Sequence, residues 1–398
     1  MGPGYFFQGR MACRTARPTG GAPGQARRAF VGFARKAKMM VAEQFARIMK
    51  ASGAVALDIG EVLPARPFLE AAGEYLGARM VFLEGAGNVR RCLTPDLTIA
   101  ACLARIKDGA HDPSGRFWYS GNVFRETEDE SLVIKRRDIG MELIGEESSP
   151  EAHLGMCDLW WRLLPAHVQE QVRVYVDDRD MFAMLLEDLD VAGPLRRRLL
   201  AAYNRPEQLR AMIDEGMEPK PSTHLNIAKM AVSLGNDKGM QFLANWVTTQ
   251  SDGVTVGRGL DEICDRLWML GELEAAGGLD EHQTMSLKNF LAVECPMAHL
   301  PNLLAERQIQ VGGRLLELIK AYAAEASQMN WQPERLIFRP AHAERLDYYS
   351  GFSFQALTKN RERVFAGGRY DGLMEQLGGL AMPAYGGAIN LDVLEALS

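Results

Sequence analysis

The residues with the clearest potential for chemistry in this chain of 398 residues form the run Phe365-Ala366-Gly367-Gly368-Arg369-Tyr370. Two adjacent glycines inside a strand pattern usually mark a bulge, or a place where bare backbone closely approaches another group. Arg369 and Tyr370 follow at once and could offer a cation and a hydroxyl beside that backbone. The alternative interpretation is that the run has no chemical role and is an edge strand weakened by its two glycines.

Two short strands and a turn are expected to position this run. Leu346-Asp347-Tyr348-Tyr349 and Phe352-Ser353-Phe354-Gln355 alternate apolar with polar residues, which is the pattern of a half-buried strand. Residues 361–364 then read as a charged turn. The rest of the chain supplies helices as well as strands.

The order of these helices and strands predicts an α+β fold. An amphipathic helix over residues 42–51 is followed by a strand over 55–63, and a further strand is expected at 171–176. Between about residues 181 and 329 the pattern is helical throughout. We therefore expect a mixed, mostly antiparallel sheet flanked by helices, with an all-helical insertion at about 181–329.

The composition is that of an ordinary globular protein, with 47% hydrophobic and 24% charged residues. No apolar run approaches the roughly 18 residues of a membrane span. The six cysteines form no C-x-x-C pair and lie at no metal-ligand spacing to histidine. We expect free thiols in a reducing, cytoplasmic compartment, with no disulfide, metal or other cofactor.

Charge is distributed unevenly along the chain. Residues 1–42 hold eight basic residues and no acidic one, so the net charge of −6 leaves −14 on residues 43–398. A core this acidic is a poor binder of tRNA, because nucleic-acid affinity depends largely on neutralising phosphates. Residues 1–40 read as a basic, disordered leader. The alternatives are a transit peptide or an upstream start codon ahead of Met39 or Met40.

Several motifs together resemble histidyl-tRNA synthetases and their relatives. The L-D-Y-Y segment followed by A-G-G-R-Y-D-G resembles the family's histidine-recognition strands. Four further segments resemble its substrate-amino-group loop, its class II motif 2 strand, the strand after motif 2, and motif 3: residues 93–98, 118–125, 138–145 and 385–394. The resemblance covers roughly residues 55–398. It implies one class II synthetase-like core domain over residues 41–398.

The departures from this pattern all affect ATP or tRNA. The family's Arg-Gly before L-D-Y-Y is Glu344-Arg345, its motif 3 Arg is Val393, and the Arg of its amino-group loop is Thr94. The loop after motif 2 is acidic over residues 126–130. Losing a positive charge that faces a phosphate in the transition state typically costs several kcal/mol of transition-state stabilisation. The chain stops at Ser398, so we also expect no anticodon-binding domain and no catalytic residues.

Within the family, this pattern most resembles the regulatory subunits of ATP phosphoribosyltransferase. The resemblance implies a non-catalytic protein that assembles with a short-form catalytic subunit. That complex carries out the first step of histidine biosynthesis and responds to histidine as a feedback effector. A homodimer formed through motif 1 is expected inside a larger hetero-oligomer, with no membrane or tRNA partner.

The resemblance also implies a retained pocket for a histidine-like ligand. Asp96 and Glu142 would meet its amino group and ring N–H, and Arg125 would pair with its carboxylate. The full set of expected pocket residues is Asp96, Thr98, Arg125, Asp138, Glu142, Tyr349 and Tyr370. Adjacent strand residues face opposite ways, so we expect Tyr349 to face the ligand and Tyr348 to pack in the core.

Other readings remain open at the level of sequence. Glu142 could instead be a buried structural acid paired with Arg136 or Arg137. The chain could be an active histidine-adenylating or aminoacylating enzyme, or an RNA-sensing module. A Ser/His/Asp or Cys/His nucleophilic set cannot be assembled, and His111, His153 and His342 read as surface or packing residues.

Overall fold

The computed structural model describes residues 43–85, 87–108, 112–127, 132–216, 221–250, 259–342, 346 and 348–397. Four sequence predictions lie outside these ranges: the basic leader, the substitution at Glu344-Arg345, the surface or packing role of His111, and most of the acidic loop at residues 126–130.

The first part of the chain builds a small sheet and half of a large one. Its elements are α1 (43–51), β1 (Val55–Ala56), β2 (Val62–Pro64), α2 (Arg66–Ala71), α3 (Gly73–Gly77), β3 (Phe82–Leu83), β4 (Arg91–Leu93), α4 (Leu97–Lys107), β5 (Gly115–Glu126), β6 (Val133–Ile144), α5 (Pro150–Arg162), α6 (Ala166–Gln169) and β7 (Val172–Asp178). The expected opening helix is confirmed, with Phe45 and Met49 buried on one face. The single strand expected over residues 55–63 is wrong, because the chain leaves the large sheet after Leu57 and enters the small one at Val62.

A helical block follows β7 and leads into the last strands. Its elements are α7 (Arg179–Asp188), α8 (Gly193–Ala202), α9 (Pro206–Asp214), α10 (Thr223–Ser233), α11 (Asn236–Gln250), α12 (Leu260–Ala276), α13 (Glu281–Leu291), β8 (Cys295–Pro296), α14 (Leu300–Glu306) and α15 (Gly313–Gln328). The closing elements are β9 (Leu336–Phe338), β10 (Phe352–Thr358), β11 (Arg363–Arg369), α16 (Leu373–Gln376), β12 (Ala384–Asn390) and α17 (Leu391–Leu397). The expected all-helical segment therefore contains one two-residue strand, β8.

The nine strands described in the large sheet follow the order β1-β5-β6-β12-β11-β10-β7-β9-β8. The α+β class and the mixed sheet are confirmed. The sheet is less antiparallel than expected, because β1 runs parallel to β5 and β7 runs parallel to β9. Parallel neighbours need a long crossover, and the helical block provides it between β7 and β9.

The short strand expected at residues 346–349 is not found at the residues described there, 346, 348 and 349. Tyr348 lies in a turn, and strand pairing begins only at Phe352 in β10. The glycine run is part of β11, which lies between β10 and β12. The alternative of a weakened edge strand is therefore wrong.

The main hydrophobic core lies between the large sheet and the helices on one of its faces. Phe45 of α1 stacks on Trp160 of α5 with ring centroids 5.2 Å apart, and both side chains are fully buried. A second cluster around Phe68, Phe117 and Tyr370 packs α2 and α4 against the sheet. The opposite face of the central strands is left for a cavity.

The five cysteines in the described ranges are all free thiols. Among the helices described, none is long and apolar enough to cross a membrane.

Candidate functional site

A cavity of about 50 Å³, room for several water molecules, opens over the centre of the large sheet. Its walls come from the start of α4, from β5, β6, β11 and β12, and from the turn around Tyr348. Six of the seven side chains expected from the sequence line it: Asp96, Thr98, Arg125, Asp138, Tyr349 and Tyr370. The seventh, Glu142, lies directly behind Tyr119 and Tyr370.

Glu142 is the buried acid of the site, with none of its surface exposed. The Tyr119 hydroxyl donates to its Oε1 at 2.6 Å, and the Tyr370 hydroxyl donates to its Oε2. The Thr98 hydroxyl lies near the same carboxylate. Burial raises the pKa of the Glu142 carboxyl to about 7, although these three hydroxyls favour the charged form.

The alternative pairing of Glu142 with Arg136 or Arg137 is not what the structure displays. Arg136 donates to Asp138 instead, and the Arg137 backbone N–H donates to Asp392. The carboxylate is thus held by phenols rather than by a cation.

Two glycines make room for this arrangement. A Cβ on Gly140 would overlap the Tyr119 ring, and a Cβ on Gly386 would overlap the Glu142 carboxylate. Gly386 lies opposite Glu142 in the β6–β12 pairing and opposite Gly368 in the β11–β12 pairing. The glycine run predicted a close approach of bare backbone to another group. In this sheet, the groups that the glycine backbone approaches are side chains of the protein itself.

Asp96 is held in place from three sides. Its side chain caps α4 by accepting the Ile99 N–H at 3.0 Å, and the Tyr348 hydroxyl donates to Oδ2 at 3.2 Å. Arg125 Nη2 lies 3.5 Å from the same oxygen, while its Nε donates to the Pro95 carbonyl at 2.8 Å. Burial raises the pKa of Asp96, and Arg125 opposes that rise.

The negative charge of Asp138 is offset by an arginine beside it. Arg136 Nε donates to its Oδ2 at 2.9 Å, and both side chains line the cavity. The site therefore combines the carboxylates of Asp96 and Asp138 with guanidinium groups that were not expected from the sequence, Arg136 and Arg363. Such a mixture suits a zwitterionic ligand, which carries one group of each sign.

The predicted division between Tyr348 and Tyr349 holds in part: Tyr349 lines the cavity and Tyr348 is buried in the second core cluster, but Tyr348 lines the cavity as well. Both rings line the cavity, with centroids 4.9 Å apart, because the chain turns here and does not alternate as a strand would. Tyr348 is the more buried of the two and contacts Asp96. The ring of Tyr349 packs against the backbone of Gly368, where an added Cβ would come within 2.8 Å of the ring.

Sequence reasoning missed Tyr119, although a signal was present. In β5, residues 119, 123 and 125 are separated by even numbers, so they face the same side of the sheet. Once Arg125 was assigned to the pocket, the same parity would have placed Tyr119 there.

Two positions where the resemblance failed lie away from the cavity. Thr94 is buried and its hydroxyl donates to the Gly60 carbonyl at 2.7 Å, so it holds the loop before Asp96. Val393 is in α17 and packs against the main core. Both now have packing or positioning roles.

A second buried polar network lies between α5, β7 and α15. The Tyr322 hydroxyl donates to Asp178 at 2.8 Å, so His153 Nδ1, 2.6 Å from that hydroxyl, is the donor to it. His153 Nε2 then accepts from Ser148, 2.5 Å away. Burial lowers the pKa of His153 to about 3, and its ring stacks on Phe352 at 4.6 Å. The packing role expected of His153 is confirmed.

Within the described ranges, no group of three or more His, Cys, Asp or Glu side chains could hold a metal ion.

The chain is similar to known proteins in sequence and in fold. The family model described as histidyl-tRNA synthetase matches residues 69–274 and 258–394. The ATP phosphoribosyltransferase regulatory subunit of Mesorhizobium japonicum is 28% identical over 365 residues, covering 90% of this chain and 97% of that protein. The regulatory subunit of the same description from Chelativorans sp. is 29% identical over 333 residues, 82% of this chain and 88% of that one.

Two solved structures are similar in fold. A structure described as an ATP phosphoribosyltransferase regulatory subunit/histidyl-tRNA synthetase from Bacillus halodurans has a TM-score of 0.59 at 18% identity, covering 91% of this chain and 79% of that one. A histidine–tRNA ligase subunit from Alicyclobacillus acidocaldarius has a TM-score of 0.54 at 18% identity, covering 98% of each chain.

Proposed function

This chain belongs to the histidyl-tRNA synthetase family, and from that premise we propose that it is a non-catalytic regulatory subunit of ATP phosphoribosyltransferase. The observation that carries the proposal is the near full-length match to proteins of that description, which spans 97% of the relative from Mesorhizobium japonicum. Its role lies in the first step of histidine biosynthesis, through a catalytic partner.

The contacts of Arg125 support a role without adenylation chemistry. Arg125 ends the segment that resembles the class II motif 2 strand. The resemblance implies that in a synthetase the arginine at this position binds a phosphate of ATP. In this chain its guanidinium donates to the Pro95 carbonyl and lies against Asp96. Its positive charge is therefore already partly neutralised by a carboxylate that is itself 7% exposed. Binding a polyphosphate there would require breaking this pair.

The retained cavity is the proposed effector site, and histidine is the proposed effector. Asp96 can accept from the ligand's ammonium group, since a carboxylate has about four acceptor positions and three contacts are in place. Arg136 and Arg363 offer donors for its carboxylate. The hydroxyls of Tyr119 and Tyr370, both fixed by Glu142, border the space for a polar ring. Buried polar groups of this kind reject ligands that leave them unpaired.

The decisive experiment is reconstitution with the short-form catalytic subunit from the same organism. The two proteins are co-purified, and phosphoribosyltransferase turnover is measured for the catalytic subunit alone and with this chain added. We expect a stable complex, higher turnover in the complex, and inhibition by histidine. No complex at micromolar concentrations of both proteins would refute the proposed function.

A homodimer within the hetero-oligomer is part of the proposal. β1 is an edge strand of the large sheet, and Val55 on it is 55% exposed. Val62 of the neighbouring small sheet is 41% exposed. An edge strand with exposed apolar residues is a surface that a second copy can cover, and most oligomers of identical chains have twofold symmetry.

A further inference from the structure

A second concave surface lies on the large sheet, beyond the rim of the cavity. This groove has a volume of about 490 Å³ and is lined by residues of β7, by the two residues that flank β9, and by the end of β10 with the turn that follows it. Leu357, which lines the groove, pairs in register with Arg363, which lines the cavity. The groove and the cavity therefore share one sheet face.

The groove is strongly basic although the chain as a whole has a net charge of −6. Glu170 is the one acidic residue among those that line it. Five cationic residues line it: Arg173, Arg335, Arg339, Lys359 and Arg361. Concentrating cations in one depression of an acidic protein creates a local positive potential that attracts anions.

Strand pairing brings these cations together from distant parts of the chain. Arg173 and Tyr175 are two residues apart on β7, so both face the groove. β9 runs parallel to β7, with Val174 paired with Leu336 and Val176 with Phe338. This pairing places Arg335 and Arg339 at the two ends of β9.

The five cationic side chains differ in whether they form hydrogen bonds or ion pairs within the protein. Arg335 donates to the carbonyls of Glu170 and Val172 at 3.0 and 3.2 Å, and Arg339 lies 3.7 Å from a carboxylate oxygen of Glu294. For the side chains of Arg173, Lys359 and Arg361, no ion pair or hydrogen bond is found with any residue in the described ranges. Three cations therefore face the groove without a counter-charge.

The backbone at Arg361 is a second, independent observation. Its φ is +64°, in the left-handed region that glycine or asparagine adopts more readily. The turn is fixed there by hydrogen bonds from Arg361 N to the Thr358 carbonyl at 2.9 Å and from Glu362 N to Thr358 Oγ1 at 3.1 Å. Asparagine adopts this conformation at a lower cost than arginine, and the neighbouring residue 360 is an asparagine. That an arginine nevertheless occupies the strained position indicates that its charge has a use there.

We propose that this groove binds a small molecule carrying a polyphosphate group, of the nucleoside or sugar polyphosphate class. Guanidinium groups match phosphate oxygens in pairs, and the three unpaired cations match the charge of one di- or triphosphate. Tyr175 adds an aromatic ring to the same face. A long nucleic acid is disfavoured because the surrounding protein would repel its remaining phosphates. The proposal stands independently of the regulatory-subunit assignment.

The test is calorimetric titration of the full chain at low salt with inorganic tripolyphosphate and, separately, with ATP. Arg361→Gly removes the charge and relieves the backbone, so it should fold at least as well as the parent while losing at least tenfold in tripolyphosphate affinity. Arg173→Ser should lose a similar factor. Lys320→Ala, which removes an exposed charge on α15, is the matched control and should bind as the parent does.

The two ligands distinguish which part of the molecule is recognised. Equal affinity for tripolyphosphate and ATP supports recognition of phosphate alone. Tighter ATP binding that Tyr175→Leu abolishes supports a nucleotide. Unchanged affinity in both arginine variants would overturn the proposal, as would tighter binding of a short single-stranded RNA than of either polyphosphate.

Discussion

The hydroxyl of Tyr119 lies 2.6 Å from Glu142 Oε1 in the interior of the sheet, where neither side chain exposes more than 1% of its surface. Glu142 therefore acts on the cavity through the phenols that it orients. A phenol that donates to a carboxylate keeps its oxygen lone pairs, so it can still accept a hydrogen bond from a ligand N–H. This relationship underlies the first prediction.

Tyr370→Phe should weaken histidine inhibition of the assembled enzyme about 5- to 150-fold while leaving uninhibited turnover nearly unchanged. That range corresponds to a coupling free energy of about 1–3 kcal/mol. The measurement is an inhibition curve on the reconstituted complex. Tyr203→Phe removes another buried phenol, one bonded to Asp177, and serves as control. If histidine inhibits the complex that contains Tyr370→Phe as strongly as it inhibits the parent complex, the effector site lies elsewhere.

Gly386→Ala should abolish the site and destabilise the fold. The added Cβ overlaps the Glu142 carboxylate and the Met141 carbonyl, and overpacking of this kind typically costs about 1–3 kcal/mol. Gly155→Ala is the matched control, since it lies on α5 with nothing within 4 Å of the new Cβ, and should stabilise by about 0.5–1 kcal/mol. Urea unfolding of both variants measures the difference. Equal stability of the two would contradict the close approach described above.

The stability of the protein should depend on pH through Glu142. Its pKa is raised to about 7 by burial, so the folded state keeps a proton that the unfolded chain releases at lower pH. This stabilisation is complete below the unfolded pKa of about 4.3 and is lost as pH rises through about 7. Glu142→Gln remains neutral throughout.

The difference in free energy of unfolding between parent and Glu142→Gln should therefore change by about 3 kcal/mol from about pH 4.5 to about pH 8, in favour of the variant. The other buried acids and histidines are common to both proteins, so they cancel in this difference. Exposed Glu317→Gln is the control. A difference that stays constant across this range would rule out the raised pKa.

The protein should not support ATP–pyrophosphate exchange in the presence of histidine. Arg125 is engaged with Asp96 and Pro95, and Thr94 and Val393 supply no charge. Losing preorganised positive charge at a phosphoryl centre costs several kcal/mol, or about a thousandfold in rate. Exchange within about a hundredfold of an ordinary synthetase would overturn this expectation.

Light scattering on the isolated chain should give at least a dimer at micromolar concentration. Val55→Lys on β1 should shift it toward monomer, because a charge on the exposed edge opposes strand pairing. Met285→Lys, at another apolar position that is 55% exposed, should have no such effect. A monomeric parent protein would remove the dimer from the proposal.

The sequence alone predicted which side chains surround the cavity better than it predicted their contacts. The motif resemblance placed Asp96, Glu142 and Tyr370 together, because each lies at a fixed position in a recognisable segment. It could not predict that Arg125 would bond to the Pro95 carbonyl, since that contact depends on how a loop and a strand end meet. Contacts between distant segments are decided by packing.

Short strands were the least predictable elements. Four alternating residues at 346–349 satisfied the strand pattern, yet the backbone turns at Tyr348 and none of the strands in the described part of the chain pairs with it. The two parallel neighbours were also beyond the reach of the pattern, since periodicity describes one strand and not the direction of its partner. The opening amphipathic helix, predicted over residues 42–51, was by contrast found as α1 over residues 43–51.

The position of β12 has a consequence for synthesis of the protein on the ribosome. β12 lies between β6 and β11, yet its residues 384–390 are translated after every other strand described. Until it emerges, the β5–β6 hairpin and the β10–β11 hairpin have no common neighbour, and Gly386 cannot complete the enclosure of Glu142. A nascent chain without β12 therefore lacks the proposed effector site, and half-made sheets with open edges exist until the last strand arrives. Only a chain translated through β12 can enclose Glu142 and complete the cavity proposed above as the effector site.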